Sequence, residues 1–120
     1  MCMVKPEIGD YKKTKEPRSL TRKQMENLMK RIMVRVTEAR DGGQDEYARD
    51  KDNVFANFER ISEHLKIERK EVLMVYLLKH IDGISSYIKG HESQREDVTG
   101  RITDSITYLC LLWGMIESER

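Results

Sequence analysis

The 120-residue chain has two cysteines, two prolines, one tryptophan and no long apolar run. Each shortage narrows the reading. Cys2 and Cys110 stand near opposite ends, with neither CxxC nor ligand-like spacing, so free thiols in a reducing cytosol are expected. Pro6 and Pro17 both precede the first periodic segment, which leaves the rest of the chain open to helix. No apolar run approaches the ~18 residues needed to cross a bilayer, so no membrane partner is expected. Met1-Cys2-Met3-Val4 runs directly into Lys5 without the apolar core of a signal peptide, and a cytoplasmic location is expected. Strand-like alternation never persists beyond a few residues. P-loop, GxGxxG, HExxH and Ser-His-Asp patterns are all missing. No aromatic residue interleaves with the basic ones after Tyr11, which argues against stacking on single-stranded nucleic acid.

What is present is charge and helix formers. Asp, Glu, Lys and Arg make up 36% of the residues, and Glu, Lys, Arg, Leu and Met dominate. The length suits one domain, which at this size buries roughly 65% of its unfolded surface. The class expected is all-α: a four-helix bundle-like single domain over residues 21–120, preceded by an extended basic arm, residues 1–20. Residues 1–40 carry eleven Lys and Arg against five Asp and Glu, a net of +6. Residues 41–120 carry eleven against sixteen, a net of −5. A basic arm beside an acidic body explains this asymmetry better than nucleic-acid binding does, although the arm leaves that route open.

Periodicity places four helices. Thr21 and Gln24 form a capping-box pair, followed by Met25, Leu28, Met29, Ile32, Met33 and Val36 on one face. Core packing is the expected use of this Met-rich face. Asp41-Gly42-Gly43 should end the helix with a left-handed glycine, and 42–52 should form a charged loop. Asn53 is the expected cap of a second helix whose buried stripe is Val54, Phe58, Ile61 and Leu65. A third helix runs from about Glu68 to Lys89 and contains the most apolar run of the chain, Val72 to Leu78. Such a run predicts neighbours on all sides. Gly83 within it predicts a close neighbour or a bend, and Gly90 predicts the stop. The last helix, about Val98 to Glu117, carries Ile102, Ile106, Leu109, Trp113 and Ile116 at core-stripe spacing. The third and fourth helices are expected to pair antiparallel.

The polar groups after the apolar run carry the candidate chemistry. Lys79 and Asp82 share a helical face. They read either as a plain surface ion pair or as a phosphate-contacting lysine beside a metal-holding carboxylate. His80 points elsewhere and reads as a surface or satisfied histidine rather than a ligand. Asp104 and Tyr108 stand one turn apart on the last helix, and Asp104 is placed to face Asp82 across the hairpin. Two carboxylates from facing helices suit a hard cation that keeps its waters, as Mg²⁺ does. Glu59 and Glu63 are further acids available to that site.

The order of these features resembles the MazG-like all-α nucleotide pyrophosphohydrolases, in particular a phage nucleotide-modification-associated branch. The resemblance rests on Tyr47 in a charged loop, Asn57-Phe58-Glu59-Arg60-Ile61, the run ending Leu77-Leu78-Lys79, and Arg101-Ile102-Thr103-Asp104-Ser105-Ile106-Thr107-Tyr108, roughly residues 43–116. It implies a homo-oligomer with a Mg²⁺-assisted nucleotide site between helices, releasing monophosphate and pyrophosphate. On that reading Asp82 and Asp104 hold metal, and Glu59, Asp82 and Asp104 are catalytic. Lys79 and Arg101 contact phosphate, while Asn57 and Tyr108 orient the ligand. Arg101 stands where the family's paired Glu is expected, and the third helix lacks a Glu-rich cluster. That shortage of acids keeps open a catalytically inactive protein that sequesters a nucleotide or nucleotide signal. A non-catalytic phage structural or adaptor protein docking through its arm is the remaining alternative.

Overall fold

Thr21 opens the first helix through the reciprocal cap its spacing predicts. Its hydroxyl accepts from the Gln24 N–H at 3.1 Å, and the Gln24 side chain accepts from the Thr21 N–H at 2.8 Å. Two of the donors that a helix start leaves open are thereby satisfied. The structure, a computed structural model, describes residues 18–48, 52–91 and 96–120. Its helices are α1 (Arg22–Gly43), α2 (Ala56–Leu65), α3 (Arg69–Ile88) and α4 (Val98–Ser118). No strand occurs among the described residues, so the fold is all-α. The expected basic arm lies outside the described residues apart from exposed Arg18, Ser19 and Leu20.

Local chemistry sets the other boundaries. Glu68 caps α3 in a second capping box, its N–H donating to Glu71 at 3.0 Å. Asp97 caps α4 by accepting from the Thr99 N–H at 3.0 Å. Gly90 stops α3 as expected: at φ 93° it lets its own N–H reach the Tyr87 carbonyl and the His91 N–H reach the Ser86 carbonyl. Two expectations fail here. α1 does end at Gly43, where Asp41-Gly42-Gly43 predicts, but without the left-handed glycine: the Gln44 N–H bonds both the Arg40 and Asp41 carbonyls and the chain continues as a π-helical turn, Gln44–Ala48. Asn53 does not cap α2 directly. Its side chain accepts from the Phe55 N–H at 3.0 Å and shapes the turn that precedes the helix.

The core is built from Phe58, Val72, Leu73 and Met115, with Phe55, Ile61, Leu111 and Leu112 packed around it. The dominant packing is α3 against α4, antiparallel, as expected. Arg69 at the start of α3 meets Ser118 and Glu119 at the end of α4. Farther along, Tyr76 stacks on Tyr108, and Arg101 lies over Gly83. A Cβ at position 83 would sit 2.4 Å from the Arg101 side chain, so this glycine marks the close approach its position predicts.

Three packing expectations are overturned. Ile102, Leu109, Trp113 and Ile116 are exposed, Trp113 at 70%. The buried positions of α4 are instead Thr103, Ser105, Thr107 and Met115. The three hydroxyls donate to the carbonyls of Thr99, Arg101 and Thr103 in their own helix, so burial leaves them satisfied. On α3, Val72, Leu73 and Leu77 are buried while Val75 and Leu78 are open, so the apolar run has neighbours on one side of the chain. On α1 only Val36 is buried; Met25, Met29 and Met33 face outward. Cys110 also lies on the surface of α4, not in the core.

Arg69 fastens one end of this assembly. Its guanidinium donates to Glu59 at 2.9 Å, to Ser118 at 3.0 Å and to Glu119 at 3.1 Å, and lies 4.8 Å from the Phe55 ring centroid. Hydrogen bonds from Lys70 and Arg69 hold the Glu119 carboxyl below its ordinary pKa. A depressed carboxyl contributes its stabilisation above the ordinary value near 4.5 and loses it as pH falls through the lowered one. Arg69→Ala is expected to cost about 2 kcal/mol at neutral pH, the range for charged hydrogen bonds. Arg69→Lys should recover only part of it, because the planar fork is lost. Chemical denaturation as a function of pH checks both, and the Arg69→Ala deficit should shrink below pH 4.5 as Glu119 protonates.

Candidate functional site

Four of the seven candidate residues, Asn57, Lys79, Asp104 and Tyr108, line one cavity of about 570 Å³. That volume falls within the range of small-molecule sites, about 300–1,000 Å³. Its first wall comes from the end of α1 and the π-helical turn, through Ala39, Arg40, Gly43, Gln44 and Glu46. α2 contributes Asn57 and Phe58, and α3 contributes Tyr76, Lys79 and His80. α4 supplies Asp104, Thr107, Tyr108 and Leu111, with Glu96 just ahead of its cap. The π-helical turn that follows Gly43 in place of an open loop therefore matters, because its Gln44 and Glu46 belong to this wall.

An aromatic cluster forms the apolar part. Tyr76 and Tyr108 stack with centroids 6.1 Å apart and planes at 15°. Phe58 meets both edge-on at 6.2 Å. Such pairs contribute about 0.5–1.5 kcal/mol each beyond their buried area. His80 extends the stack, its ring 5.8 Å from Tyr108 at 28°. The polar part has cations at Lys79 and Arg40, amides at Gln44 and Asn57, and carboxylates at Glu46, Glu96 and Asp104. Arg40 is already bonded to Asp41 at 2.8 Å.

His80 is the unusual member. It is 5% exposed, and among the described residues its ring makes no hydrogen bond. Nδ1 is buried without a partner, and Nε2 lies 3.6 Å from Asp104 Oδ2, beyond hydrogen-bond range. A ligand atom of His80, one of Glu96 and one of Asp104 all lie within 4.8 Å of each other, a grouping able to hold a metal ion.

Of the residues the sequence singled out, Asn57, Lys79, Asp104 and Tyr108 line the cavity together. Asp82, Arg101 and Glu59 are not among its lining residues. Asp82 is exposed one residue before Gly83, so Asp104 faces His80 rather than Asp82. Arg101 lies over Gly83, with its Nε buried and unpartnered. Glu59 is occupied by Asn53 at 2.7 Å and Arg69 at 2.9 Å. Sequence reasoning set His80 aside as a surface or satisfied histidine and passed over Glu96. A signal for His80 existed: Val72, Leu73, Tyr76, Leu77 and His80 keep one helical face, which puts the imidazole at the end of the buried stripe. Glu96 had none, since it sits in a connection whose course depends on tertiary packing.

No protein-family model matches the chain, and neither a curated protein nor a solved structure shows significant similarity to it.

The His80 ring makes no hydrogen bond whose loss would cost stability. His80→Phe, similar in volume and able to stack on Tyr108, is therefore expected to change stability by less than about 1.5 kcal/mol in chelator-treated buffer. Denaturant unfolding measures this. A loss of several kcal/mol would mark the imidazole as a structural group.

Proposed function

We propose that this cavity binds a nucleotide or a related phosphate-bearing small molecule, in keeping with the resemblance to MazG-like proteins. The observation that carries the reading is that Asn57, Lys79, Asp104 and Tyr108, drawn from three helices, line one cavity of nucleotide size. Lys79 and Arg40 serve the phosphates as cations. The Phe58–Tyr76–Tyr108 cluster offers a flat apolar surface to a base, and the Asn57 amide offers its edge a donor and an acceptor. Glu96 and Asp104 are the carboxylates that would hold a divalent cation, Mg²⁺ in the family resembled. When bound, such a cation polarises a phosphoryl oxygen and makes a coordinated water more acidic.

The reaction in this reading is attack of water on the α-phosphorus of a nucleoside triphosphate. The bond to the bridging oxygen breaks, giving monophosphate and pyrophosphate. A binding protein without turnover is the second reading. It is favoured by the position of Asp82 outside the lining and by the engagement of Glu59 with Arg69 and Asn53. Calorimetry with a panel of nucleotides and Mg²⁺, followed by assay of pyrophosphate release, separates the readings. Binding weakened about tenfold by Lys79→Ala is expected, equal to about 1.4 kcal/mol. Binding without pyrophosphate selects the second reading, and no binding of any nucleotide contradicts both.

The same reading includes a homo-oligomer. Ile102, Leu109, Trp113 and Ile116 on α4, with Val75 and Leu78 on α3, leave the outward side of the paired helices apolar and open. Together with the half-buried Ile106, the α4 residues keep the 4-3-4-3 spacing of an interhelical seam. A second copy of the chain is the occupant that supplies a matching surface, and a stable pair needs about 800 Å² from each partner. Light scattering coupled to size exclusion is expected to give a dimer or larger assembly, and Trp113→Glu a smaller one. A wild-type monomer at tens of micromolar concentration would contradict this.

A further inference from the structure

We infer that His80, Glu96 and Asp104 form a site for a first-row transition-metal dication of the Mn²⁺ or Co²⁺ kind, with a nitrogen ligand from the buried imidazole. The inference deepens the reading of the cavity as a phosphate site, but metal uptake is measured with no nucleotide present, so either claim can fail alone.

Three observations support it. The first is convergence: donor atoms from α3, from α4 and from the residue ahead of the α4 cap lie within 4.8 Å of one another. Ligand atoms about 2.1 Å from a shared metal stand about 3–3.4 Å apart, so the exposed Glu96 side chain has only a short distance to close. The second is the state of His80. A polar ring that is 5% exposed and hydrogen-bonded to nothing among the described residues carries a desolvation cost of about 1–3 kcal/mol. Nε2 faces the Asp104 carboxylate at 3.6 Å, and a cation held between the two gives that nitrogen a partner. The third is preorganisation. The imidazole is stacked on Tyr108, which is stacked on Tyr76, so the ring is oriented before any ion arrives.

The donor set decides the class of ion. Mg²⁺ and Ca²⁺ take oxygen ligands, and an imidazole is a poor choice for them. One imidazole with two carboxylates suits ions that accept both nitrogen and oxygen. Three protein ligands also leave coordination positions open for water and for a phosphate oxygen. Lys79, lining the same cavity, adds a cation for the remaining phosphate charge.

The test uses the full, untagged chain after chelator treatment. Mn²⁺ is titrated and free Mn²⁺ is followed by its electron paramagnetic resonance signal, and Co²⁺ is followed by its visible absorption. The expected result is one ion per chain that a hundredfold excess of Mg²⁺ does not displace. His80→Phe and Glu96→Gln should each weaken binding about tenfold or more, whereas Asp82→Asn should leave it within twofold. Glu96 is exposed, so Glu96→Gln remains informative even where His80→Phe perturbs folding. Absence of Mn²⁺ and Co²⁺ binding, displacement by equimolar Mg²⁺, or binding unaffected by both Glu96→Gln and His80→Phe would overturn the assignment.

Discussion

The antiparallel register of α3 on α4 is the constraint from which the rest follows. Leu73 and Met115, both fully buried, fix the depth of that packing. Once they are in place, the rungs along the pair are determined. Arg69 meets Glu119, Tyr76 stacks on Tyr108, His80 faces Asp104, and Arg101 covers Gly83. The rungs change character along the pair. An ion-pair network holds one end, aromatic stacking fills the middle, and the histidine–carboxylate rung opens into the cavity. A slip along the pair would set Tyr76, His80 and Gly83 opposite different α4 residues, so stability and site geometry depend on the same register.

Apolar burial here is unusually one-sided. Among the described residues the fully buried hydrophobic side chains cluster on the inner side of α3 and α4 and on Phe58 of α2. One intramolecular device makes this possible. α4 buries hydroxyls that bond back to their own helix, so it can present Thr103, Ser105 and Thr107 inward without orphaned donors. That leaves Ile102, Leu109 and Trp113 exposed on the outer side. The aromatic rings of the cavity, by contrast, are held from within the chain, and they retain their arrangement whatever covers the outside.

Much of the fold was legible in the sequence, because helix starts and stops are local chemistry. Thr21 with Gln24 and Gly90 act as their residue types dictate. The pairing of the last two helices was legible as well. What periodicity could not give was the inward face of α4. Two stripes compete there, and the more apolar one lost because satisfied hydroxyls are cheap to bury and the chain's own neighbours lie on their side. The candidate site was legible in part for the same reason. Asn57, Lys79, Asp104 and Tyr108 were reachable from spacing and resemblance. His80 was misjudged as surface or satisfied, since a lone histidine carries no motif, although its place on the Val72–Leu77 face marked it as inward. Asp82 was favoured for chemistry on residue type, yet it turns to solvent on the opposite side of α3.

We propose that the groups on the rungs of α3 and α4 form one working site, with a metal at one corner and the aromatic surface beside it. Its most direct test is anomalous diffraction from crystals grown with Mn²⁺ and a non-hydrolysable nucleoside triphosphate analogue. The account predicts an anomalous peak within coordination distance of His80, Glu96 and Asp104, with the phosphates toward Lys79 and the base against Tyr76 and Tyr108. A peak at Asp82, or an ordered nucleotide elsewhere on the molecule with this cavity filled only by water, would contradict it.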